Sequence, residues 1–141
     1  MIHFTLKRKG WGYEDVYEAL KTGEKDIEWR PASDFWISRL FMKKYQESIK
    51  KLLKFLHHPL PAPIDKKFWK TDKARFVVGY TKYPRLLADI DKIWYHSDSG
   101  DFSIHIKNVK EERMSKCIYC GEWIPLGDYM CDACYNAERY G

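Results

Sequence analysis

Hydrophobic and polar positions change period several times along the chain, and each change marks an element. Ile2, Phe4 and Leu6 alternate with His3 and Thr5, which predicts a half-buried strand. Gly10-Trp11-Gly12 interrupts it. From Tyr13 to Thr22 the spacing becomes helical. Val16, Ala19 and Leu20 share a face, Glu14 and Asp15 stand at the N-terminal end, and Lys21 stands at the other. Gly23 then supplies the left-handed residue that ends such a helix. Residues 25–30 return to period two, with Ile27 and Trp29 on one face and Asp26, Glu28 and Arg30 on the opposite one. Pro31 cannot donate to a ladder and ends that strand.

The longest helical pattern runs over residues 34–57, capped by Ser33 or Asp34. Met42, Tyr45, Ile49, Leu52, Leu53 and Leu56 recur at three- and four-residue spacing, with Lys43, Lys44, Lys50, Lys51 and Lys54 between them. Pro59, Pro61 and Pro63 force an extended connection. Three more strands follow. One is the apolar run 76–80. In the second, Leu86, Ala88, Ile90, Lys92 and Trp94 alternate with Leu87, Asp89, Asp91, Ile93 and Tyr95. In the third, Phe102, Ile104 and Ile106 alternate with Ser103, His105 and Lys107. The turn residues Ser97-Asp98-Ser99-Gly100-Asp101 join the last two. Strands interrupted by two helices, with tight hairpins late in the chain, predict an α+β fold around a small mixed β-barrel with flanking helices.

Composition narrows the class. The 141 residues are 45% hydrophobic and 16% aromatic, enough apolar area for an ordered core and against disorder. No apolar run approaches the roughly 18–20 residues of a membrane span. The basic cluster at the N-terminus follows its apolar run, the wrong order for an export signal. No membrane partner and a reducing compartment, the cytoplasm, are expected. Nucleotide-loop motifs are missing.

The net charge of +5 is unevenly spread. Residues 41–75 hold 10 Lys/Arg against 3 Asp/Glu, and residues 116–141 hold 2 against 4. A central basic stretch is the electrostatic footprint of a polyanion binder, and Lys50, Lys51 and Lys54 are its candidate phosphate contacts. The same lysines also fit a solvated helix face. Trp11 and Trp69 are candidates for stacking on bases, with core packing as the competing role for each. His57 and His58, about 100° apart on a helix, do not share a metal ion.

All four cysteines fall near the C-terminus as C-x2-C-x10-C-x2-C: Cys117, Cys120, Cys131 and Cys134. Without an export signal, paired C-x-x-C points to metal binding and not to disulfides, and four thiolates satisfy Zn²⁺ in a closed, structural site. A short hairpin over residues 123–129 and a final helical turn over 135–139 are expected. Knuckle, hairpin and ligand-bearing helix resemble a minimal treble-clef or zinc-ribbon finger. So small a module depends on its metal for folding energy. The division expected is 1–109 for the main domain, 110–116 as a charged linker and 117–141 as the finger. The finger serves as a structural cap or as a dock for nucleic acid or a protein partner.

Gly23-Glu24-Lys25-Asp26-Ile27-Glu28-Trp29-Arg30 carries the second chemical signal. A Lys beside a carboxylate and an Arg can hold an anionic phosphate or polarise a carbonyl. Alternation puts Glu28 and Arg30 on one face and Lys25 on the other, unless the chain bends at the strand start. The competing role is an edge strand with a solvated polar face.

Residues 16–30 resemble the signature of ASCH domains, in the PUA-like superfamily. The continuation Asp34-Phe35-Trp36-Ile37-Ser38-Arg39-Leu40 is also similar to ASCH proteins. So are Ala74-Arg75-Phe76-Val77-Val78-Gly79-Tyr80, Ile90, Ile93 and Phe102-Ser103-Ile104. The resemblance spans about residues 1–109 and leaves out the cysteine module. It implies a small β-barrel with a cleft beside the signature strand and an RNA-binding role. It also implies, for one hydrolase branch, deacylation of acylated cytidines by a Lys, a Thr and a Glu. The Lys falls on Lys25. The Thr falls on Glu28, where this chain departs from that branch, and Asp89 and Asp91 are the weak candidates for the later carboxylate. Two functions follow. The first is a binder of RNA or single-stranded nucleic acid using Lys25, Glu28 and Arg30. The second is a hydrolase of a modified nucleoside or RNA, with Lys25 and Glu28 catalytic and Arg30 holding the anion.

Overall fold

The computed structural model describes residues 1–6, 13–56, 60–79 and 82–140. The expectations placed on Gly10-Trp11-Gly12, His57, His58, Pro59 and Tyr80 lie outside the described residues. Five main strands form one sheet in the order β1-β4-β5-β6-β2: β1 (Ile2–Leu6), β4 (Lys73–Val78), β5 (Arg85–His96), β6 (Asp101–Glu112) and β2 (Ile27–Pro31). A two-residue strand, β3 (Ala62–Pro63), adds to the end of β5. β1 runs parallel to β4, and the other pairings are antiparallel. The chain is α+β, with the sheet curled into a half-barrel and four helices among the described residues. These are α1 (Tyr13–Thr22), α2 (Asp34–Leu40), α3 (Lys43–Phe55) and α4 (Asp132–Tyr140).

The curl comes from two irregularities between β5 and β6. Opposite Leu87–Asp89, β6 carries an extra residue, Asn108, at a left-handed φ of 54°. Past Ile90, the extra residue is Asp91 on β5. Each bulge bends the strand and sharpens its twist. The second also flips parity. Leu86, Ala88 and Ile90 point inward, and beyond the bulge Ile93 takes the buried place. The uninterrupted alternation expected from residue 86 to 95 therefore fails at Asp91.

Phe4, Phe76, Phe102, Leu86, Ile93 and Ile104 fill the concave side of the sheet. Leu20 of α1, Ile37 and Leu40 of α2, and Ile49 and Leu53 of α3 close over them. The single helix expected over residues 34–57 is two. Phe41 is drawn into extended backbone at φ −118°, ψ 150° by an antiparallel bridge to Trp69. Met42 N–H donates to the Phe68 carbonyl at 3.0 Å, and Lys70 N–H to the Leu40 carbonyl at 2.8 Å. These long-range bonds replace one helical turn, and no Pro or Gly marks the break. Leu52, expected on the apolar face, is exposed on α3. Ser33 caps α2, its side chain accepting from Trp36 N–H at 3.4 Å. Trp69 is buried and donates through Nε1 to the Ile64 carbonyl at 3.2 Å, so it is a core residue and no stacking platform.

Residues 110–116, expected as a linker, are mostly strand. β6 continues to Glu112, and β7 (Met114–Lys116) pairs with β8 (Trp123–Pro125). The hairpin expected within 123–129 is instead this β7–β8 pair, with the first cysteine knuckle as its loop.

Candidate functional site

The signature segment is shaped by how α1 ends. Gly23 adopts φ +83°, and its N–H donates to the Leu20 carbonyl at 3.3 Å. Lys25 N–H then bonds the Ala19 carbonyl at 2.9 Å, so Lys25 sits in the turn, two residues before β2 begins. Strand parity does not govern its side chain. Lys25 Nζ reaches Glu28 Oε2 at 3.3 Å, and Arg30 Nη2 reaches Glu28 Oε1 at 3.2 Å. The three residues therefore meet, with Glu28 bridging two cations.

The charged face of β2 is also the inward one. Glu28 is only 5% exposed, whereas Trp29 is 47% exposed on the outer side, its ring 4.6 Å from that of His96. Because the sheet curls, β2 comes to face β1 across the half-barrel. The Arg30 guanidinium lies 5.3 Å from the Phe4 ring and 5.1 Å from the Trp36 ring. Aromatic faces on this scale attract the cation and fix its plane.

Arg30 opens into a cleft of about 580 Å³ between β1 and α2. Arg39, Lys70 and His3 supply its other cationic or imidazole groups, and Phe35 and Trp36 its aromatic ones. Phe35 is 55% exposed, stands edge-on to Trp36 at 5.3 Å, and carries the Arg39 guanidinium 4.8 Å from its ring. Lys70 Nζ is held by the Ser38 carbonyl at 2.8 Å. Among the described residues no carboxylate lines the cleft, and neither Lys25 nor Glu28 is among its lining residues. Arg30 is thus the link between the ion-paired triad and the open cleft.

The α3 lysines sit elsewhere. Lys50 Nζ pairs with Glu47 at 3.4 Å and with Asp34 at 3.5 Å, and the hydrogen bond to Glu47 raises its affinity for the proton. The groove that it shares with Lys51 and Lys54 contains both carboxylates. Asp89 accepts from Asn108 Nδ2 at 2.9 Å and pairs with Lys73, and these bonds hold its carboxyl below the usual range. Asp91 pairs with Lys107 at 3.2 Å. The partners of both aspartates stand on β4 and β6, not on the signature strand.

The four cysteines converge. Cys117, Cys120, Cys131 and Cys134 are free thiols whose sulfurs all lie within 4.8 Å of one another, Cys120 and Cys131 at 3.5 Å. A tetrahedral Zn²⁺ with bonds of about 2.3 Å needs sulfurs about 3.8 Å apart, so the set fits such an ion. Cys117 follows β7, and Cys134 rides on α4, which begins at Asp132 and not at residue 135 as expected. Gly121, at φ +75°, lets its N–H return to the Cys117 carbonyl at 2.9 Å and closes the knuckle. Backbone N–H groups, of Cys120 first and Cys131 second, pull the Cys117 thiol toward ionisation. The neighbouring Cys131 sulfur pushes Cys134 the other way. Sulfurs this crowded cannot all ionise unless a cation shares their charge.

Comparison of the chain with family models, with curated proteins and with solved structures finds no match in any of the three. No helix among the described residues is long and apolar enough to cross a membrane. Arg39 and Lys70 escaped the sequence reading because a helix end and a connection meet only through the Phe41–Trp69 bridge. Phe35, Trp36 and Arg39 did stand in the run that resembles ASCH domains, but nothing in their spacing singles them out for a cleft.

Proposed function

We propose that this protein binds single-stranded nucleic acid, RNA by its resemblance to ASCH domains, in the cleft between β1 and α2. One observation carries the reading: Arg30, Arg39 and Lys70 converge on Phe35 and Trp36, with no carboxylate among the described lining residues. Cations beside aromatic faces match the two parts of a nucleotide, its phosphate and its base. Glu28 orients Arg30. Both of its oxygens are engaged by cations, an arrangement suited to fixing a guanidinium rather than shuttling a proton, and this favours the binder over the hydrolase. Arg39→Gln with Lys70→Gln tests the reading by fluorescence anisotropy on a labelled oligouridylate. Affinity should fall at least tenfold at 0.1 M salt. Unchanged affinity would place binding elsewhere.

The cysteine module on this reading is a Zn²⁺ finger of treble-clef or zinc-ribbon type, and the metal is structural because four thiolates leave no open position. Its surface favours a protein contact. Ile118 and Tyr129, both exposed, are neighbours through a 2.9 Å main-chain bond, and the module is locally acidic. An acidic surface disfavours phosphates and leaves apolar side chains to meet a protein.

A further inference from the structure

A second cleft, of about 340 Å³, adjoins the first across β1, and His3 and Thr5 line both. His3 and Thr5 are the outward residues of an edge strand whose alternate residues are buried. On the far side of β1 the cleft is built by Arg75 of β4, Arg85 of β5 and Lys82, again with no carboxylate among the described lining residues. Strand pairing sets the order. His3 lies opposite Arg75, and Val77, opposite Thr5, lies opposite Arg85. Adjacent strands are about 4.8 Å apart, so the cationic surface extends two strand spacings from β1.

The two clefts share one construction. Arg30 is tied by a single nitrogen to Glu28 and packed against Phe4 and Trp36. Arg85 is tied by Nη2 to Glu112 at 3.3 Å and packed 4.5 Å from the Tyr83 ring. Among the described residues, the buried side-chain nitrogens with no hydrogen-bond partner are Nε of Arg30 and Nε of Arg85. An unmet buried donor costs about 1–3 kcal/mol, and more when the group is charged. Each cleft thus has a rigid guanidinium with donor capacity left over, and an aromatic ring beside it. Between them, Arg75 Nε donates to His3 Nδ1 at 3.1 Å, which keeps Arg75 facing the shared wall.

We propose that the second cleft is a phosphate site, and that the ligand is a single strand laid across β1 with one phosphate at Arg30 and a later one at Arg75, Lys82 and Arg85. Phe35 and Trp36 line the first cleft and offer stacking faces beside the first phosphate, whereas Tyr83 backs Arg85 at the second. Unpaired bases are needed to use these faces, which selects a single strand over a duplex. The proposal rests on the nucleic-acid reading of the first cleft and extends it to ligand length and direction.

The test uses the 141-residue chain purified with added Zn²⁺ and a fluorescein-labelled octauridylate, titrated from 0.05 to 0.3 M salt. Arg75→Gln with Lys82→Gln should weaken binding at least tenfold at 0.1 M salt. It should also flatten the log–log salt slope by about 1.4, two contacts at about 0.7 each. Arg39→Gln with Lys70→Gln should flatten it by a similar amount. Uridine monophosphate should compete far more weakly than a doubly phosphorylated dinucleotide. Lys82→Gln alone, on an exposed segment, serves if the pair disturbs folding, and should remove about half of the effect. If the Arg75/Lys82 variants keep the parent slope while the Arg39/Lys70 variant loses it, the second site is wrong and the first stands. If the parent chain binds no octauridylate, both readings fail. Tighter binding of an eight-base-pair duplex would overturn the single-strand assignment.

Discussion

Glu28 Oε1 and Arg30 Nη2 stand 3.2 Å apart on neighbouring inward positions of an edge strand, and Lys25 Nζ occupies the other carboxylate oxygen at 3.3 Å. The carboxylate is buried, and its two partners stay oriented by it. Breaking such a pair is costly because it strands the remaining charges.

Glu28→Gln should therefore destabilise the fold by about 2 kcal/mol, below the 3–5 kcal/mol of fully buried pairs because Lys25 and Arg30 retain some solvent. Urea denaturation reads the shift in midpoint. A change under about 0.5 kcal/mol would mean that solvent already screens the triad.

Metal removal should act locally. The cysteine module has its own small cluster of Cys117, Ile124 and Cys131, separate from the main core. One Zn²⁺ per chain is expected by elemental analysis. Chelation should release amide protection over 114–140 while protection in β4, β5 and β6 persists. Uniform loss of protection would show that the module is integral to the half-barrel, consistent with the 4.9 Å ring contact of Trp123 with Tyr83.

His3 gives a pH signature. Burial first, then the charges of Arg75 and Arg85, hold its imidazole below the ordinary value of 6.5. Above 6.5 the ring is neutral folded or unfolded, and stability does not depend on it. As pH falls from 6.5 through the depressed folded value, the unfolded chain takes the proton first and stability is lost. A bound phosphate should reverse the trend by favouring the charged ring. NMR titration of His3 with and without the octauridylate checks both statements. An upward shift in the free protein would contradict the first, and no rise on binding the second.

The α3 lysines should matter less than the sequence suggests. Replacing Lys50, Lys51 and Lys54 by Gln should change the salt slope by less than the Arg39/Lys70 variant does, because Glu47 and Asp34 already neutralise Lys50. A larger change would return phosphate binding to the helix face.

Local signals in the sequence were legible where local physics decides. Gly23 ended α1, Ser33 capped α2, the 97–101 turn joined β5 to β6, and the cysteine spacing marked a closed four-sulfur site. The misses have long-range causes. The α2–α3 break is made by Trp69, 28 residues beyond Phe41. The parity change at Asp91 comes from a bulge that only pairing with β6 defines. Alternation alone set Lys25 opposite Glu28; the bend at the strand start, left open in the sequence, is what brings the two together. The basic clefts draw on β1, β2, α2, β4 and β5. Counting charge along the chain found Lys50, Lys51 and Lys54 instead, because summing over a segment cannot see which carboxylates fold back onto it.

The most direct test of the central claim is a nitrogen-detected NMR titration of the labelled chain with octauridylate, following Arg30 Nε–H and the Trp36 indole N–H. Binding in the cleft predicts that both resonances move early and saturably, together with backbone amides of β1, while α3 amides stay in place. Shifts confined to α3, with Arg30 and Trp36 unmoved at saturation, would contradict it.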